Sequence, residues 1–349
     1  MNARIATVLA VTAVGTVTAG QPSGTPQRPA FRAATDAVLV PVAVTRGREP
    51  ALGLDVADFA LFDNGVRQTI DSVDATALPI DVTIVLDSVP ERDLDRLATS
   101  RLDADMVRSQ LREPDRVRII STGTVPRDVV ALQPAATAPA LPGIARTRGS
   151  SALDGLFYAL ARPVETGRRH LVVMFTRADD TWSTLDADRL PALAMRADAV
   201  MHVVFFDGIP GLPAAPDAMR PEPQGARIGD DRTPPPASWM PPRMGENRRT
   251  EPRNNMMPAA RDPNHVVRVR RTYWVLVEVA RRTGGGTHLL RDRVAAFTRI
   301  LDDFRSSYLL RYTPTGVDLP GWHDIEVRVT RPGRYDVRAR KGYEGSRPR

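Results

Sequence analysis

Short apolar runs alternate along the chain with stretches of helical period. The run from Ile80 to Leu86 is almost continuously apolar and β-branched, and Asp87 follows it directly. Such runs are typical of parallel strands buried on both faces. Similar runs occur at 117–121, 170–176 and 199–206, with amphipathic stretches between several of them. This alternation predicts an α/β fold with a doubly wound, mostly parallel sheet of the Rossmann-like type.

Both ends of the chain have a different pattern, in which short strands are separated by turn residues. In the N-terminal part, 36–77, Asn64-Gly65 between apolar residues is a strong hairpin signal. In the C-terminal part, 307–345, we expect the strands at 322–328 and 335–340 to pair with each other. Each end has too few strands to be stable by itself. We therefore predict a small antiparallel β module built from both chain ends.

The first residues have the pattern of a secretory signal peptide. A short basic start precedes an apolar run from Ile5 to Val17, and small residues follow at 18–20. The run is too short to span a bilayer comfortably. We predict a signal peptide at 1–20, a flexible leader at 21–35 and export to the periplasm or the extracellular space. No transmembrane span is expected after cleavage.

The segment 207–263 differs in composition from the rest of the chain. It holds thirteen of the 31 prolines and five of the ten methionines, with almost no aliphatic periodicity. Such a segment cannot bury enough apolar surface to order itself. We predict a disordered Pro/Arg/Met-rich insertion, which divides the α/β domain into 78–206 and 264–306.

Composition excludes several classes of chemistry. The chain has no cysteine, which removes disulfides, thiolate nucleophiles and Cys-bound zinc. Its five histidines are not at zinc-ligand spacing, and no Gly-x-Ser-x-Gly or phosphate-binding loop is present. The net charge is +7, but the arginines are spread along the chain, so no nucleic-acid partner is expected. A polyanion binder would need those arginines on one face.

Six short motifs follow one another in a characteristic order. They are GLDVADF at 53–59, FDNGVRQ at 62–68, IVLDS at 84–88, VVMFT at 172–176, YLLRYTP at 308–314 and VRARKGY at 337–343. Their order resembles the bacterial VWFA-related family (von Willebrand factor type A-like, of the acidobacterial type). The resemblance covers most of the chain after the leader, except the Pro-rich insertion.

The resemblance implies a metal-ion-dependent adhesion site, in which oxygen ligands hold Mg²⁺. In the family, Asp-x-Ser-x-Ser follows the first strand, and later loops add a threonine and an aspartate. Here Asp87 keeps the first carboxylate, whereas Val89 and Glu91 stand at the two serines. Ser151 is the candidate for the threonine. Arg177 stands where the family has its metal aspartate.

Three outcomes are open for this site. A cation could still bind through Asp87, Glu91, Ser151 and Asp179. The site could be polar without binding a metal. Alternatively, Arg177 could take the place of the cation and pair with Asp87, which would offset the cost of burying that carboxylate. We expect no cofactor; Mg²⁺ or a similar cation would bind in the first outcome but is not expected.

The function predicted from these observations is that of a secreted, non-enzymatic interaction or adhesion protein with a degenerate metal site. Its partner would be an unidentified protein or envelope polymer. The predicted partner-binding rim lies at the carboxyl end of the sheet and comprises Asp87, Ser88, Glu91, Ser151, Arg177 and Asp179. One alternative is a metal-dependent adhesion module with an unusual site. Another is an enzyme that uses the carboxylates of Asp87, Glu91 and Asp179 for acid–base chemistry.

Overall fold

The computed structural model describes residues 37–47, 49–75, 78–87, 109–138, 149–163, 165, 167–206, 264–290, 293–318 and 320–345. The predicted signal peptide, leader and insertion lie outside these residues. Three positions of the predicted site, Ser88, Val89 and Glu91, also lie outside them. Within the described residues, no helix combines the length and apolar character that crossing a membrane requires.

The strands of the described chain are β1 Val38–Arg46, β2 Glu49–Pro50, β3 Phe59–Asp63, β4 Val66–Gln68, β5 Ile70–Ala75, β6 Ile80–Leu86, β7 Arg116–Ser121, β8 Arg127–Pro134, β9 Arg169–Thr176, β10 Val200–Phe206, β11 Gly286–Leu290, β12 Tyr308–Tyr312, β13 Gly321–Val329, β14 Asp336–Ala339 and β15 Gly342–Gly345. The α-helices are α1 Ala152–Leu160, α2 Leu190–Ala194, α3 His265–Arg282 and α4 Arg293–Arg305.

Six strands form one sheet in the order β8-β7-β6-β9-β10-β11. Every neighbouring pair is parallel except β7 and β8, which are antiparallel. The chain moves outward from β6 to β8 and then returns to β9 on the other side of β6. The order of the strands therefore reverses beside β6, where open α/β sheets present their ligand sites. The predicted α/β fold is confirmed, although the other two sheets are antiparallel.

Helices cover this sheet with apolar side chains. Helix α4 carries its apolar residues at i, i+3, i+4 and i+7, which places them on one side of the helix. Their side chains are buried against β6 and β9, and each such burial contributes about 1.5–3 kcal/mol. They are Phe297, Ile300, Leu301 and Phe304. A second buried cluster combines side chains of α1, α2 and α3 with other residues of the sheet, among them Val85, Val172 and Met174.

Two antiparallel sheets pack face to face and contain strands from both chain ends. One has the order β14-β1-β12-β5, with β2 beside β1, and the other has the order β15-β13-β3-β4. Their shared core includes Val40 and Leu310 from one sheet and Leu61 and Val327 from the other. We call these two sheets the β sandwich. The Asn64-Gly65 turn joins β3 to β4, and both residues have positive φ angles.

One predicted strand pairing is wrong. Strands β13 and β14 do not pair, because they lie in different sheets: β13 pairs with β3 and β15, whereas β14 pairs with β1. The connection between them crosses from one sheet to the other. Arg331 fixes this crossing, since its Nε donates to Asp58 Oδ1 at 2.8 Å and its Nη1 donates to the carbonyl oxygen of Gly53 at 3.1 Å.

A buried carboxylate connects four strands of the β sandwich. Asp63 is fully buried, and its Oδ1 lies 2.8 Å from His323 Nδ1. Its Oδ2 accepts hydrogen bonds from the hydroxyls of Tyr312 at 2.8 Å and Tyr343 at 3.1 Å. Burial raises the pKa of Tyr343 to about 12 and also raises the pKa of Tyr312, so both hydroxyls remain donors. The four residues belong to β3, β13, β12 and β15.

Replacing Tyr312 with phenylalanine should lower the free energy of unfolding by about 1–3 kcal/mol, because Asp63 then loses a donor in a buried site. Tyr335→Phe is the matched control, since the Tyr335 hydroxyl receives its hydrogen bond from Arg46 at the surface. That change should stay within about 0.5 kcal/mol. Urea unfolding measures both variants. Equal effects of the two substitutions would contradict this account of the sandwich.

Candidate functional site at the carboxyl rim

The carboxyl ends of three neighbouring strands bring polar residues together at one edge of the six-stranded sheet. Leu86, the last residue of β6, is paired with Ser121 of β7 and with Phe175 of β9. Asp87 and Thr122, which directly follow β6 and β7, therefore lie beside Thr176, which ends β9. We call this edge the carboxyl rim.

The carboxylate of Asp87 is saturated by hydroxyl groups. Its Oδ1 accepts hydrogen bonds from Thr122 Oγ1 at 3.0 Å and from Ser150 Oγ. Its Oδ2 accepts one from Thr176 Oγ1 at 2.6 Å, and the backbone N–H of Arg177 also donates to the carboxylate. We call Asp87, Thr122, Ser150 and Thr176 the rim cluster. All four are buried.

Burial determines the electrostatics of the rim cluster. It raises the pKa of Asp87 to about 6, because a low-dielectric environment disfavours the charged carboxylate. Hydrogen bonds from Ser150, Thr176 and Thr122 act in the opposite direction and offset part of this effect. The folded protein therefore holds the carboxylate ionised at neutral pH at a cost in free energy. Such perturbed groups concentrate at functional sites.

Ser150, rather than Ser151, contacts Asp87. Ser151 is the residue before α1, and its Oγ donates to the carbonyl oxygen of Thr122 at 2.9 Å instead of capping the helix. The first N–H of α1, from Ala152, is capped by Asp180 Oδ1 at 3.1 Å. The serine at this carboxylate is therefore one residue before the predicted Ser151.

The loop after β9 fixes the position of Ser150. Ala178 has a φ angle of 58°, and its N–H donates to Thr176 Oγ1 at 2.8 Å, which turns the loop back across the rim. Thr181 and Trp182 then donate their backbone N–H groups to the carbonyl oxygen of Ser150 at 2.8 and 2.9 Å. These contacts join the loop after β9 to the peptide in front of α1.

Trp182 covers a glycine at the same place. A Cβ atom on Gly149 would lie 1.8 Å from Trp182 Nε1, so the indole ring occupies space that any other residue would fill. Half of Trp182, 50%, is nevertheless exposed. Val125, in the loop after β7, is 71% exposed. The rim thus presents two apolar side chains on loops that the rim cluster connects.

The two charged residues predicted beyond β9 have different partners. Asp179 Oδ1 accepts a hydrogen bond from Arg268 Nη2 at 3.0 Å, and its Oδ2 lies 3.4 Å from His265 Nδ1. Asp179 therefore faces the start of α3 and not Asp87. Arg177 is half-buried and reaches Asp87 through its backbone amide. Among the described contacts, none joins the guanidinium of Arg177 to the carboxylate of Asp87.

The rim cluster places one carboxylate and three hydroxyls where the resemblance implies a divalent cation. Within the described ranges, no group of three or more histidine, aspartate or glutamate side chains is placed to hold a metal ion. Ca²⁺ takes six to eight oxygen ligands, whereas Mg²⁺ takes six and usually keeps several waters beside one or two carboxylates. Here Asp87 is the one carboxylate of the rim cluster, and hydroxyl donors already occupy both its oxygens.

Sequence reasoning identified Asp87 but missed Thr122, Ser150 and Thr176 as its partners. The sequence carried a signal for two of them: Thr122 directly follows a predicted strand, and Thr176 is the last residue of another. Parallel strands adjacent to β6 bring such positions to one edge. Ser150 comes from a loop that the strand pattern does not place.

Comparisons with known proteins give distant likenesses. No family model matches the chain, and no curated protein matches it. A solved structure of an aerotolerance-related membrane protein from Bacteroides fragilis is 14% identical, with a TM-score of 0.35, and the match covers 64% of this chain and 98% of that chain. BatB from Bacteroides thetaiotaomicron is 11% identical, with a TM-score of 0.35 and the same coverage. A von Willebrand factor type A protein from Catenulispora acidiphila is 10% identical, with a TM-score of 0.37, over 84% of this chain and 75% of that chain.

Replacing Asp87 with asparagine should stabilise the protein at pH 8. The folded-state pKa, about 6, lies above the ordinary value of 3.8. The stabilisation that this shift provides is therefore complete below pH 3.8 and is lost as the pH rises through 6. Asparagine carries no charge at any of these pH values. We expect Asp87→Asn to raise the free energy of unfolding by about 1–3 kcal/mol at pH 8, with the gain disappearing toward pH 4.

Urea unfolding between pH 4 and pH 8 measures this difference. Asp179→Asn is the control, because it removes a partner of Arg268 at the same rim and should give no gain at pH 8. If Asp87→Asn were instead destabilising at pH 8, the ionised carboxylate would be stabilised by a group that the hydroxyl network does not include.

Proposed function

We propose that this chain is an exported, non-enzymatic interaction protein of the von Willebrand factor type A-like kind. Its α/β domain would comprise 78–206 and 264–306 as a doubly wound unit. The β sandwich would be built from 36–77 and 307–345. The carboxyl rim would bind a protein or an envelope polymer without a divalent cation. Export rests on the signal-peptide pattern at 1–20.

The proposal rests on an exposed tryptophan that the hydrogen bonds of the rim cluster hold in place. Trp182 is half-exposed and packs on Gly149. Its backbone N–H donates to the carbonyl oxygen of Ser150, and the hydroxyl of Ser150 donates to the buried carboxylate of Asp87. A rigid tryptophan can bury a large area on binding with little loss of conformational freedom, and tryptophan is enriched in binding hot spots. Exposed Val125 extends the apolar part of this surface.

The arrangement of the carboxylates favours binding over acid–base catalysis. An acid–base pair needs both groups within reach of one substrate. Asp87 is buried with both oxygens occupied, whereas Asp179 is paired with Arg268 at the start of α3. The third carboxylate of the enzyme hypothesis, Glu91, lies outside the described residues. These contacts support a role for Asp87 in positioning the loops of the rim.

Mg²⁺, Ca²⁺ and Mn²⁺ at millimolar concentration should leave the melting temperature unchanged, because the hydroxyl donors of the rim cluster compete with any cation for Asp87. A cation present at a hundred times its dissociation constant would stabilise the protein by about 2.7 kcal/mol, which a thermal melt detects. Melts with each metal are compared with melts in EDTA. A rise in melting temperature that Asp87→Ala abolishes would restore a metal-dependent adhesion site.

Replacing Trp182 with alanine should weaken partner capture. The measurement is a quantitative pull-down from the native envelope fraction, in which Trp182→Ala should retain less of the components that bind the rim. Because truncation of a hot-spot residue costs at least about tenfold in affinity, the expected loss is at least tenfold. Trp322→Ala is a matched control: Trp322 is 39% exposed and also packs on a glycine, Gly342, but it lies in the β sandwich. If both variants retained, or both lost, the same components, the rim would not be the binding surface.

A further inference from the structure

Two histidines, His202, which is buried, and His288, which is half-buried, contact each other on neighbouring strands of the six-stranded sheet. His202 of β10 and His288 of β11 have Nδ1 and Nε2 atoms 3.0 Å apart, and their rings are stacked with centroids 5.3 Å apart. This geometry allows one N–H to donate to an unprotonated ring nitrogen. If both rings carried two protons, two N–H groups would point at each other and the hydrogen bond would be lost. The arrangement therefore requires that the pair is not doubly charged.

The pair lies where the six-stranded sheet meets the β sandwich. Arg338 of β14 extends over Gly286, and a Cβ atom on that glycine would lie 2.8 Å from Arg338 Nη1. The same guanidinium pairs with Asp303 of α4. A small cavity at this junction is lined by His202, Arg338 and Asp303, together with Pro41 to Ala43 of β1.

We propose that the His202–His288 pair is an acid-sensitive element of this junction. While the pair is neutral, Arg338 can lie against the edge of the sheet. When the pair is protonated, like charges meet at the junction, and the contact between β14 and the edge of the six-stranded sheet loosens.

The charges around the pair give the direction of the effect. Among the described residues, the charged groups that act on it are Arg338 of β14 and Arg299 and Asp303 of α4. The facing segment of β1 adds no charge. Two cations thus oppose one anion, and that anion is already paired with Arg338. Protonation of the histidines would leave three or four positive charges around one carboxylate.

The titration of the pair sets the pH at which this occurs. Burial, followed by the charge of Arg338, lowers the pKa of His288 to about 4, and burial also lowers the pKa of His202 well below its ordinary value of 6.5. A histidine whose pKa is depressed in the folded state does not lower the free energy of unfolding above pH 6.5. As the pH falls from 6.5 toward the pKa of the folded state, it lowers the free energy of unfolding progressively.

Other contacts of the junction end on backbone carbonyl oxygens, which do not titrate. Arg340 Nη2 donates to the carbonyl oxygens of Met195 at 2.8 Å and Ala197 at 3.1 Å. The backbone N–H of Lys341 donates to the carbonyl oxygen of Arg282 at 2.8 Å. Acid should therefore loosen one side of the junction while these bonds retain the other. The expected change is a broader range of orientations, and not separation.

Single-molecule fluorescence energy transfer on the full chain tests this proposal. The chain has no cysteine, so two dyes can be placed specifically on Leu52→Cys in the β sandwich and Phe157→Cys on α1, both at exposed positions. We expect a narrow distribution of transfer efficiency at pH 7 that broadens with a midpoint near pH 4, while far-UV circular dichroism is unchanged. Broadening that coincides with loss of secondary structure would overturn the proposal.

Variants assign the transition to the pair. His202→Asn and His288→Gln together retain polar groups near the two ring nitrogens but do not titrate, so the broadening should disappear or its midpoint should fall by at least about one pH unit. His170→Gln is the matched control. His170 is another buried histidine, with a pKa lowered to about 4, but it contacts Thr83 inside the sheet domain. It should leave the transition unchanged. An unchanged midpoint in the double variant would overturn the proposal.

A measurement on the unsubstituted protein covers the case in which the double variant does not fold. In an NMR titration of ¹³C-labelled histidines, His202 and His288 should remain neutral at pH 6 and titrate together below pH 5. Titration of either one near pH 6.5 would show that the pair is not held neutral and would overturn the proposal.

Discussion

A carboxylate buried at the end of β6 must receive hydrogen bonds from the protein, because burial has removed its water. Asp87 obtains them from residues that follow or end two neighbouring strands and from the peptide in front of α1. Loss of any one donor would leave part of the carboxylate unsatisfied, at a cost of about 1–3 kcal/mol. This requirement couples three loops at the carboxyl rim. The same coupling gives Trp182, which is bonded to Ser150, a fixed position.

The cluster depends in turn on the register of the sheet. Every residue of β6 and of β9 is buried, so a shift of one residue between them would move each side chain to the opposite face of the sheet, into a core packed for other side chains. The hydrophobic effect thus fixes the level at which each strand ends. Leu86 is level with Ser121 and Phe175. The hydroxyls of the next residues, Thr122 and Thr176, therefore both reach the carboxylate of Asp87.

Sequence reasoning could identify the strands and the carboxylate but not all of the contacts. The apolar run before Asp87 predicts a buried strand that ends at a ligand-bearing edge, because burial on both faces leaves a continuous pattern. Thr122 and Thr176 are ordinary loop hydroxyls until the strand order is known. The alternating pattern of β13 is the same whether it pairs with β14 or with β3, so periodicity alone could not place it. Likewise, no local signal joins Asp63 to His323, which lies 260 positions later.

The β sandwich meets the α/β domain at the edge of the sheet opposite the carboxyl rim. Arg169, the first residue of β9, donates to Ser307 Oγ at 2.6 Å just before β12 begins, and its guanidinium lies over the ring of Phe304 at 4.0 Å. Arg340 binds the carbonyl oxygens that precede β10. Both contacts lie at the amino ends of parallel strands, whereas Asp87 lies at a carboxyl end. A change in the junction can therefore reorient the rim relative to the sandwich without breaking the hydrogen bonds of the rim cluster.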